Sequence, residues 1–301
     1  MSLIWTDMFG EHSKIDIAIQ SLKDYEDQAL KYDPEGYYVT DSGGKDSAVI
    51  KQLCIDAGVK FGVYHHHTSV DHPETFYFVR REKKRFEDMG YHYEITHNYD
   101  KDGKRITMWS LIAQRGFPSR VRRFCCQQLK EGGGEGRVVV TGVRRAESTK
   151  RQSRGIAEVI TKNQKDKIVL NNDNDDKRKI LEHCVMRHKI VVNPIIDWED
   201  EDVWEYIRMK NLPYNPLYDM GYKRVGCVGC PMNTRMGEEL EKLPKYKNLY
   251  IYFMDRFLKS HPQSSKGSTA QEWYDWWVSN GKMKFAGSDD ISMFDEEDDD
   301  E

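Results

Sequence analysis

Six consecutive residues, Ser42-Gly43-Gly44-Lys45-Asp46-Ser47, place two hydroxyls, two glycines, an ammonium and a carboxylate between a short β-prone run, Tyr37-Tyr38-Val39, and a helical pattern. The apolar positions Ala48, Val49, Leu53 and Ala57 recur at helical spacing until Gly58 stops them. A loop between strand and helix brings backbone N–H groups and the positive helix end to one point, where an anion can sit. Gly43 and Gly44 let the backbone approach a phosphate closely, and Ser42, Lys45 and Ser47 add donors. The longer glycine spacing of a Walker A loop is absent.

The cysteines form a second candidate site. Cys125-Cys126 and Cys227-Val228-Gly229-Cys230 are two pairs about a hundred residues apart. A Cys-x-x-Cys turn is half of a metal site, and Cys230-Pro231 ends it as iron–sulfur ligand runs often end. Structural zinc usually takes two such turns, because adjacent cysteines seldom aim both sulfurs at one tetrahedral ion. An iron–sulfur cluster tolerates adjacency better; zinc and metal-free thiols stay as alternatives. Cys54, on the helix after the loop, and Cys184 read as ordinary residues. The run His65-His66-His67 is a weak metal motif, since neighbours on a strand point to opposite faces.

Strands and helices must position these groups, and they alternate. Phe61 to His65, Tyr91 to Ile95, Arg137 to Thr141 and Ile190 to Ile196 read as strands. Glu74 to Met89, Thr107 to Gln114 and Glu199 to Met209 read as helices. The expected fold class is α/β, a mainly parallel sheet with helices on both faces. A polar stretch from Ser153 to Lys189, centred on Asn171 to Asp176, reads as a surface insertion or hairpin. Glu238 to Lys259 and Gln271 to Val278 read as C-terminal helices whose aromatic stripe, including Tyr250, Phe253, Trp273 and Trp277, is core packing.

Ser-Gly-Gly-Lys-Asp-Ser resembles the pyrophosphate loop of the adenine nucleotide α-hydrolase superfamily, and further segments narrow the likeness. The stretch His67 to Thr75 resembles the Asp-Thr-Gly and Phe-Pro-Glu-Thr region of the phosphoadenylyl-sulfate reductases, with His67, Ser69 and His72 as departures. Gly142-Val143-Arg144-Arg145-Ala146-Glu147-Ser148 with Arg151 resembles their substrate loop, at the carboxyl end of a strand where open sheets bind ligands. Pro194 to Trp198, Asp202 to Trp204 and Asn215 to Asp219 match in order and spacing, and read mostly as architecture leading into the cysteine turn. The resemblance covers about Tyr37 to Met232 and implies a Rossmann-like adenine nucleotide α-hydrolase fold.

That family implies a domain over 31–235 with the insertion at 153–189, after an N-terminal helical segment over 1–30. A helical segment over 236–287 and a disordered acidic tail over 288–301 follow. It implies ATP or adenylyl-sulfate as ligand on Ser42 to Ser47, cleavage between the α and β phosphates, and Lys45 and Asp46 as catalytic residues. Asp46 would order the loop or help hold a metal such as Mg2+, or serve as a helix-start carboxylate. Arg144 and Arg145 would act in catalysis, and with Glu147, Ser148, Arg151 and Lys130 would bind substrate. In the adenylyl-sulfate reductases an adjacent cysteine pair and a later Cys-x-x-Cys hold a 4Fe-4S cluster, which places Cys125, Cys126, Cys227 and Cys230 as its ligands here.

Those reductases also use a cysteine near their C-terminus as nucleophile, and this sequence has none after Cys230. The expectation is therefore sulfur transfer to an adenylylated acceptor, as in DNA phosphorothioation or tRNA thiolation enzymes, with a nucleic-acid acceptor and a cysteine desulfurase or other sulfur donor as partners. Sulfate-ester reduction and a non-catalytic nucleotide and redox sensor are the alternatives. The composition is compatible with each. The formal net charge of −4 is shaped by seven acids, Asp295 to Glu301, so the remaining chain is mildly basic. Arginine is dense from Arg115 to Arg154, as an anionic ligand or a nucleic-acid backbone requires. With no long apolar run and no leader-like start, a cytoplasmic enzyme without a membrane partner is expected.

Overall fold

A computed structural model describes residues 3–8, 10–130, 132–147, 151–152, 154–160, 168–170, 189–265 and 268–283. The chain divides into two compact units, one of Met1–His65, Pro73–Ile95 and Gly133–Val225, the other of His66–His72, Thr96–Gly132 and Gly226–Glu301. Among the described residues no helix is long and apolar enough to cross a membrane.

The first unit opens on an antiparallel hairpin, β1 (Ile4–Asp7) and β2 (Gly10–Ser13), before the helices α1 (Lys14–Asp24) and α2 (Glu26–Tyr32). Its sheet then takes β3 (Tyr37–Thr40), β4 (Phe61–His66), β5 (His92–Thr96), β6 (Val138–Val140), β7 (Ala157–Ile160), β8 (Ile168–Leu170) and β9 (Lys189–Val192). The seven strands run in the order β5-β4-β3-β6-β9-β7-β8. β3 is parallel to β4 and β6, and β6 to β9. Val138, Val139 and Val140 are all buried, because a central parallel strand meets protein on both faces. The polar stretch from Ser153 contributes β7 and β8, which extend the sheet antiparallel beyond β9, as a hairpin would. Its Asn171 to Asp176 centre and Cys184, like the acidic tail, lie outside the described residues.

Between these strands lie α3 (Lys45–Ala57) and α4 (Pro73–Asp88), and after β9 comes a helix over Asp200–Met209. Helix α3 begins where the glycine loop ends and is capped at Gly58, and its Ala48, Val49, Leu53 and Ala57 are buried. Val49, Leu53 and Ala57 join Val39, Val63, Val140, Val192, Trp198 and Tyr206 in one core, which packs α3 against the sheet.

The second unit is helical, built from α5 (Met108–Arg115), α6 (Phe124–Leu129) and helices over Met236–Lys242, Pro244–Ser260, Pro262–Ser265 and Ala270–Val278. The single helix expected over Glu238 to Lys259 is broken at Leu243, because Pro244 cannot continue a helix and starts the next one instead. The aromatic stripe is its core: Phe117 stacks on Trp277 at 4.4 Å, and Trp277 Nε1 donates to the Pro118 carbonyl at 2.8 Å.

Candidate functional site

The glycine loop bridges β3 and α3 in the first unit. Gly43 takes φ of +71°, and a Cβ there would sit 2.8 Å from Thr75 Cγ2, so both backbone and space demand glycine. Its N–H donates to Asp41 Oδ1 at 2.7 Å, and its carbonyl accepts from Asn215 Nδ2 at 3.0 Å. Asn215 also donates to Thr75 Oγ1 at 3.0 Å. Ser42 is exposed, Asp46 is half-buried, and Gly43, Gly44, Lys45 and Ser47 are buried. Ser47 Oγ donates to the Gly44 carbonyl at 2.8 Å, which ties the loop to the first turn.

The amides expected to face an anion are partly engaged by the chain itself. Lys45 N–H, the first of α3, donates to the Tyr218 hydroxyl at 3.0 Å, and Gly44 N–H to Ser42 Oγ at 3.4 Å. The amides of Asp46 and Ser47 lack an intrahelical partner, as at any helix start. Asn215 and Tyr218 thus belong to the loop's surroundings, besides leading the chain toward the cysteine turn. Burial pushes the Tyr218 hydroxyl up to about 12, so it is neutral and can accept or donate.

The cations beside the loop are paired. Lys45 Nζ lies 2.9 Å from Asp200 Oδ1 and 3.7 Å from Asp46 Oδ2. Arg144, buried, donates from Nε to Asp46 Oδ1 at 2.6 Å and from Nη2 to Asp200 Oδ1 at 2.9 Å, with Trp198 O at 3.4 Å from Nη1. Asp46 is thus tied to the buried Arg144 guanidinium. Burial would raise the Asp200 carboxyl, but hydrogen bonding and charge from Lys45, with Arg144, hold it below the ordinary range. Asp200 carried no signal beyond its place at a helix start. Arg145 pairs with Asp197 and donates from Nε to the Arg154 carbonyl at 3.0 Å; Arg151 pairs with Glu147. Burial and the charges of Arg224 and Arg154 make Arg151 hold its proton less tightly than usual. Ser148 lies outside the described residues.

Beneath the loop is a buried polar network that the sequence did not reveal. Lys51 is fully buried, with Nζ 2.5 Å from Asp41 Oδ2 and 2.9 Å from Glu82 Oε2. Tyr93 donates its hydroxyl to Asp41 Oδ2 at 2.6 Å, and His65 Nδ1 meets the Asp41 carbonyl at 2.8 Å. Burial alone would raise the Asp41 carboxyl; the charges of Lys51 and His65 and the bonds from Lys51 and Tyr93 hold it far below the usual carboxylate range. Nothing in the sequence says that β3, α3, α4 and β5 close over Lys51.

All four paired cysteines fall in the second unit. Cys125 and Cys126 lie in the first turn of α6, and Cys227 pairs with Asp71 in an isolated antiparallel bridge. Gly229, at φ of +71°, lets the Cys-x-x-Cys turn press on the Tyr250 ring, which a Cβ would meet at 2.8 Å. The Tyr250 hydroxyl donates to the Val228 carbonyl at 2.7 Å, and Gly229 N–H donates to Glu239 Oε2 at 3.2 Å. The aromatic stripe expected as core packing thus also shapes this turn. From the His67 to Thr75 stretch, Val70 accepts Val228 N–H at 2.8 Å, and Thr68 Oγ1 lies 3.5 Å from Cys227 Sγ.

The four thiols are free and sense one another's charge. A hydrogen bond from Cys125 favours the Cys126 thiolate and leaves Cys125 protonated, and the Arg123 guanidinium stands 3.2 Å from Cys126 Sγ. Burial raises the Cys227 thiol, against the nearby Lys130 ammonium, whose own proton the Cys227 charge holds more firmly. No three His, Cys, Asp or Glu side chains among the described residues converge on a point fit for one metal ion. A single zinc ion needs every sulfur about 2.3 Å away, whereas an iron–sulfur cluster gives each sulfur its own iron. The donor set, four thiols with two cations beside them, suits such a group.

The first unit is thus a mainly parallel α/β sheet with a glycine loop between β3 and α3. Residues 36–233 match the phosphoadenosine phosphosulfate reductase domain, and the chain belongs to that family. It is 28% identical over 225 residues to an uncharacterized protein of Methanocaldococcus jannaschii, which covers 72% of this chain and 47% of that one, so the chain spans about half of that relative's length. It is 26% identical over 204 residues to an adenosine 5'-phosphosulfate reductase of Burkholderia cepacia, covering 64% of this chain and 69% of that one. Among solved structures it is similar to a phosphoadenylyl-sulfate reductase of Candida auris, at a TM-score of 0.44 and 19% identity, over 75% of this chain and 98% of the other.

Proposed function

We propose that this chain is an ATP-pyrophosphatase-type enzyme that adenylylates an acceptor and takes part in sulfur transfer to it. In this reading the acceptor is an oxygen nucleophile, a nucleic-acid group by the density of arginine from Arg115 to Arg154, and a cysteine desulfurase or similar protein is the sulfur donor. The acceptor oxygen attacks the α-phosphorus, the bond to the bridging α–β oxygen breaks, and pyrophosphate leaves with that electron pair. The outer sulfur of the donor's persulfide would then attack the adenylylated acceptor, the acceptor's bond to the AMP oxygen would break and AMP would leave with that electron pair, and a second donor thiol would cleave the S–S bond, leaving the sulfur on the acceptor and a disulfide on the donor. The loop from Ser42 to Ser47 would hold the phosphates against the start of α3, and the Lys45 ammonium would offset charge growing on the leaving pyrophosphate. Arg145 and Arg151 would grip outer oxygens, while Arg144 keeps Asp46 and Asp200 in place. Cys125, Cys126, Cys227 and Cys230 would hold a 4Fe-4S cluster, one iron to each thiolate, which when bound would supply one-electron redox chemistry.

The observation that carries transfer over reduction is the thiol inventory. Of the two cysteines outside the quartet, Cys184 lies outside the described residues, and Cys54 is fully buried with its thiol pushed up by burial, so Cys54 is no nucleophile. A reductase is the second reading, favoured by the family and by the Burkholderia cepacia relative. Anaerobically purified protein is expected to carry about four iron and four sulfide per chain, and to turn ATP into AMP and pyrophosphate when acceptor is present. Sulfite released from adenylyl-sulfate with a thiol reductant, and no pyrophosphate from ATP, would replace transfer by reduction. Folded, anaerobically handled protein without iron would remove the cluster from either reading.

A further inference from the structure

The Gly43 peptide is gripped from two sides. Asp41 takes its N–H and Asn215 its carbonyl, and this holds the turn that leads into α3. Asp41 can do so as a carboxylate only because a row of alternating charges runs inward to it. Arg85 donates two hydrogen bonds to Glu82 at 2.8 and 2.9 Å, Glu82 accepts from Lys51 at 2.9 Å, and Lys51 reaches Asp41 at 2.5 Å. Tyr93 completes the set, with its hydroxyl on the Asp41 oxygen that Lys51 also uses. Two elements reach the Asp41 carboxylate directly, α3 through Lys51 and β5 through Tyr93, and α4 supports it at one remove through Glu82 on Lys51.

An unpaired carboxylate at this place would be doubly harmful to phosphate binding. It would repel the phosphates, and a buried ion without a partner would leave its site or take up a proton. Either change releases Gly43 N–H. We infer that Lys51 and Asp41 are positioning residues for the nucleotide's phosphates, with Lys51 neutralising Asp41 so that the carboxylate can lock the Gly43 peptide. This rests on the nucleotide reading above. Neither residue touches the ligand; both act through the loop.

The test measures binding of ATP, and separately of adenosine 5'-phosphosulfate, by calorimetry on the full chain, with the thermal midpoint of each variant recorded alongside. Lys51→Met is expected to weaken nucleotide binding about 10- to 100-fold, the range for stranding a buried partner. Adding Asp41→Asn should recover at least about fivefold of that loss, because the amide oxygen still accepts from Gly43 and no buried charge is left alone. Tyr93→Phe, a milder change, should weaken binding roughly threefold. Should Lys51→Met not fold, the double variant and Tyr93→Phe decide the matter against wild type. Lower midpoints with dissociation constants within twofold of wild type would overturn the inference and leave a merely structural network. Wild-type protein that binds neither nucleotide would instead overturn the nucleotide reading itself.

Discussion

Replacing Arg144 by Met separates an anchor from a ligand-binding arginine. Met roughly matches the stem but removes bonds to Asp46 at 2.6 Å, Asp200 at 2.9 Å and Trp198 O at 3.4 Å. Two carboxylates would then share only Lys45. Breaking a fully buried ion pair costs roughly 3–5 kcal/mol. Here the side chains of Asp46 and Asp200 are 20% and 54% exposed, so solvent screens part of that loss. About 2 kcal/mol is the reasonable figure, or roughly 5 °C in midpoint for a chain of this size. Denaturant unfolding of wild type, Arg144→Met, Asp46→Asn and the double variant gives the coupling directly, expected at about 1–2 kcal/mol. Asp200→Asn should couple more weakly, since its carboxylate is the more exposed. A loss under about 0.5 kcal/mol together with a more than tenfold fall in nucleotide affinity would refute the reasoning: Arg144 would then face the ligand, as the family likeness implies.

Further outcomes follow from the same geometry. Tyr218→Phe frees the Lys45 amide from its hydroxyl partner; if phosphate takes that amide, calorimetry should show ATP binding unchanged or up to about fivefold tighter, whereas a tenfold loss would make the hydroxyl a ligand contact. Gly43→Ala meets both the positive φ and Thr75 at 2.8 Å, and should destabilise by about 2–4 kcal/mol in denaturant unfolding. The Asp41 carboxyl lies below its unfolded value, so its contribution to stability is complete above about pH 4 and is lost as pH falls through the folded value. Unfolding followed from pH 7 to pH 2 should show this loss at the acid end, and Lys51→Met should move it to higher pH; an acid limb unaltered in that variant would contradict it.

Much of the first unit was legible because its signals are local. Strand, loop and helix around Ser42 to Ser47 followed from a β-prone run, a glycine pair and helical periodicity, and they stand as β3, the loop and α3. The break at Pro244 was legible too, had proline been weighed above the aromatic period. Charged residues were the hard part. Lys51, Glu82 and Asp200 look like solvated side chains in one dimension, and only tertiary closure turns them into partners. The same holds for Asn215 and Tyr218, which lie about 170 residues from the loop they contact. No periodicity reports such a distance.

That asymmetry has a physical root in how the loop binds an anion. The amides and glycines that touch phosphate must be contiguous, so they leave a motif, whereas the charges that hold the loop rigid can come from any element that passes nearby. In this chain Lys45 and Arg144 are balanced by Asp46 and Asp200, and Lys51 and Arg85 by Asp41 and Glu82. Net attraction for a phosphate therefore cannot be read from the count of basic residues. In the proposed function it depends on what would change when the ligand arrives: the Lys45 amide would leave the Tyr218 hydroxyl, and the Lys45 ammonium would loosen from Asp200. Each exchange would trade an internal partner for a phosphate oxygen, keeping the resting loop ordered and reserving the strongest contacts for the bound state.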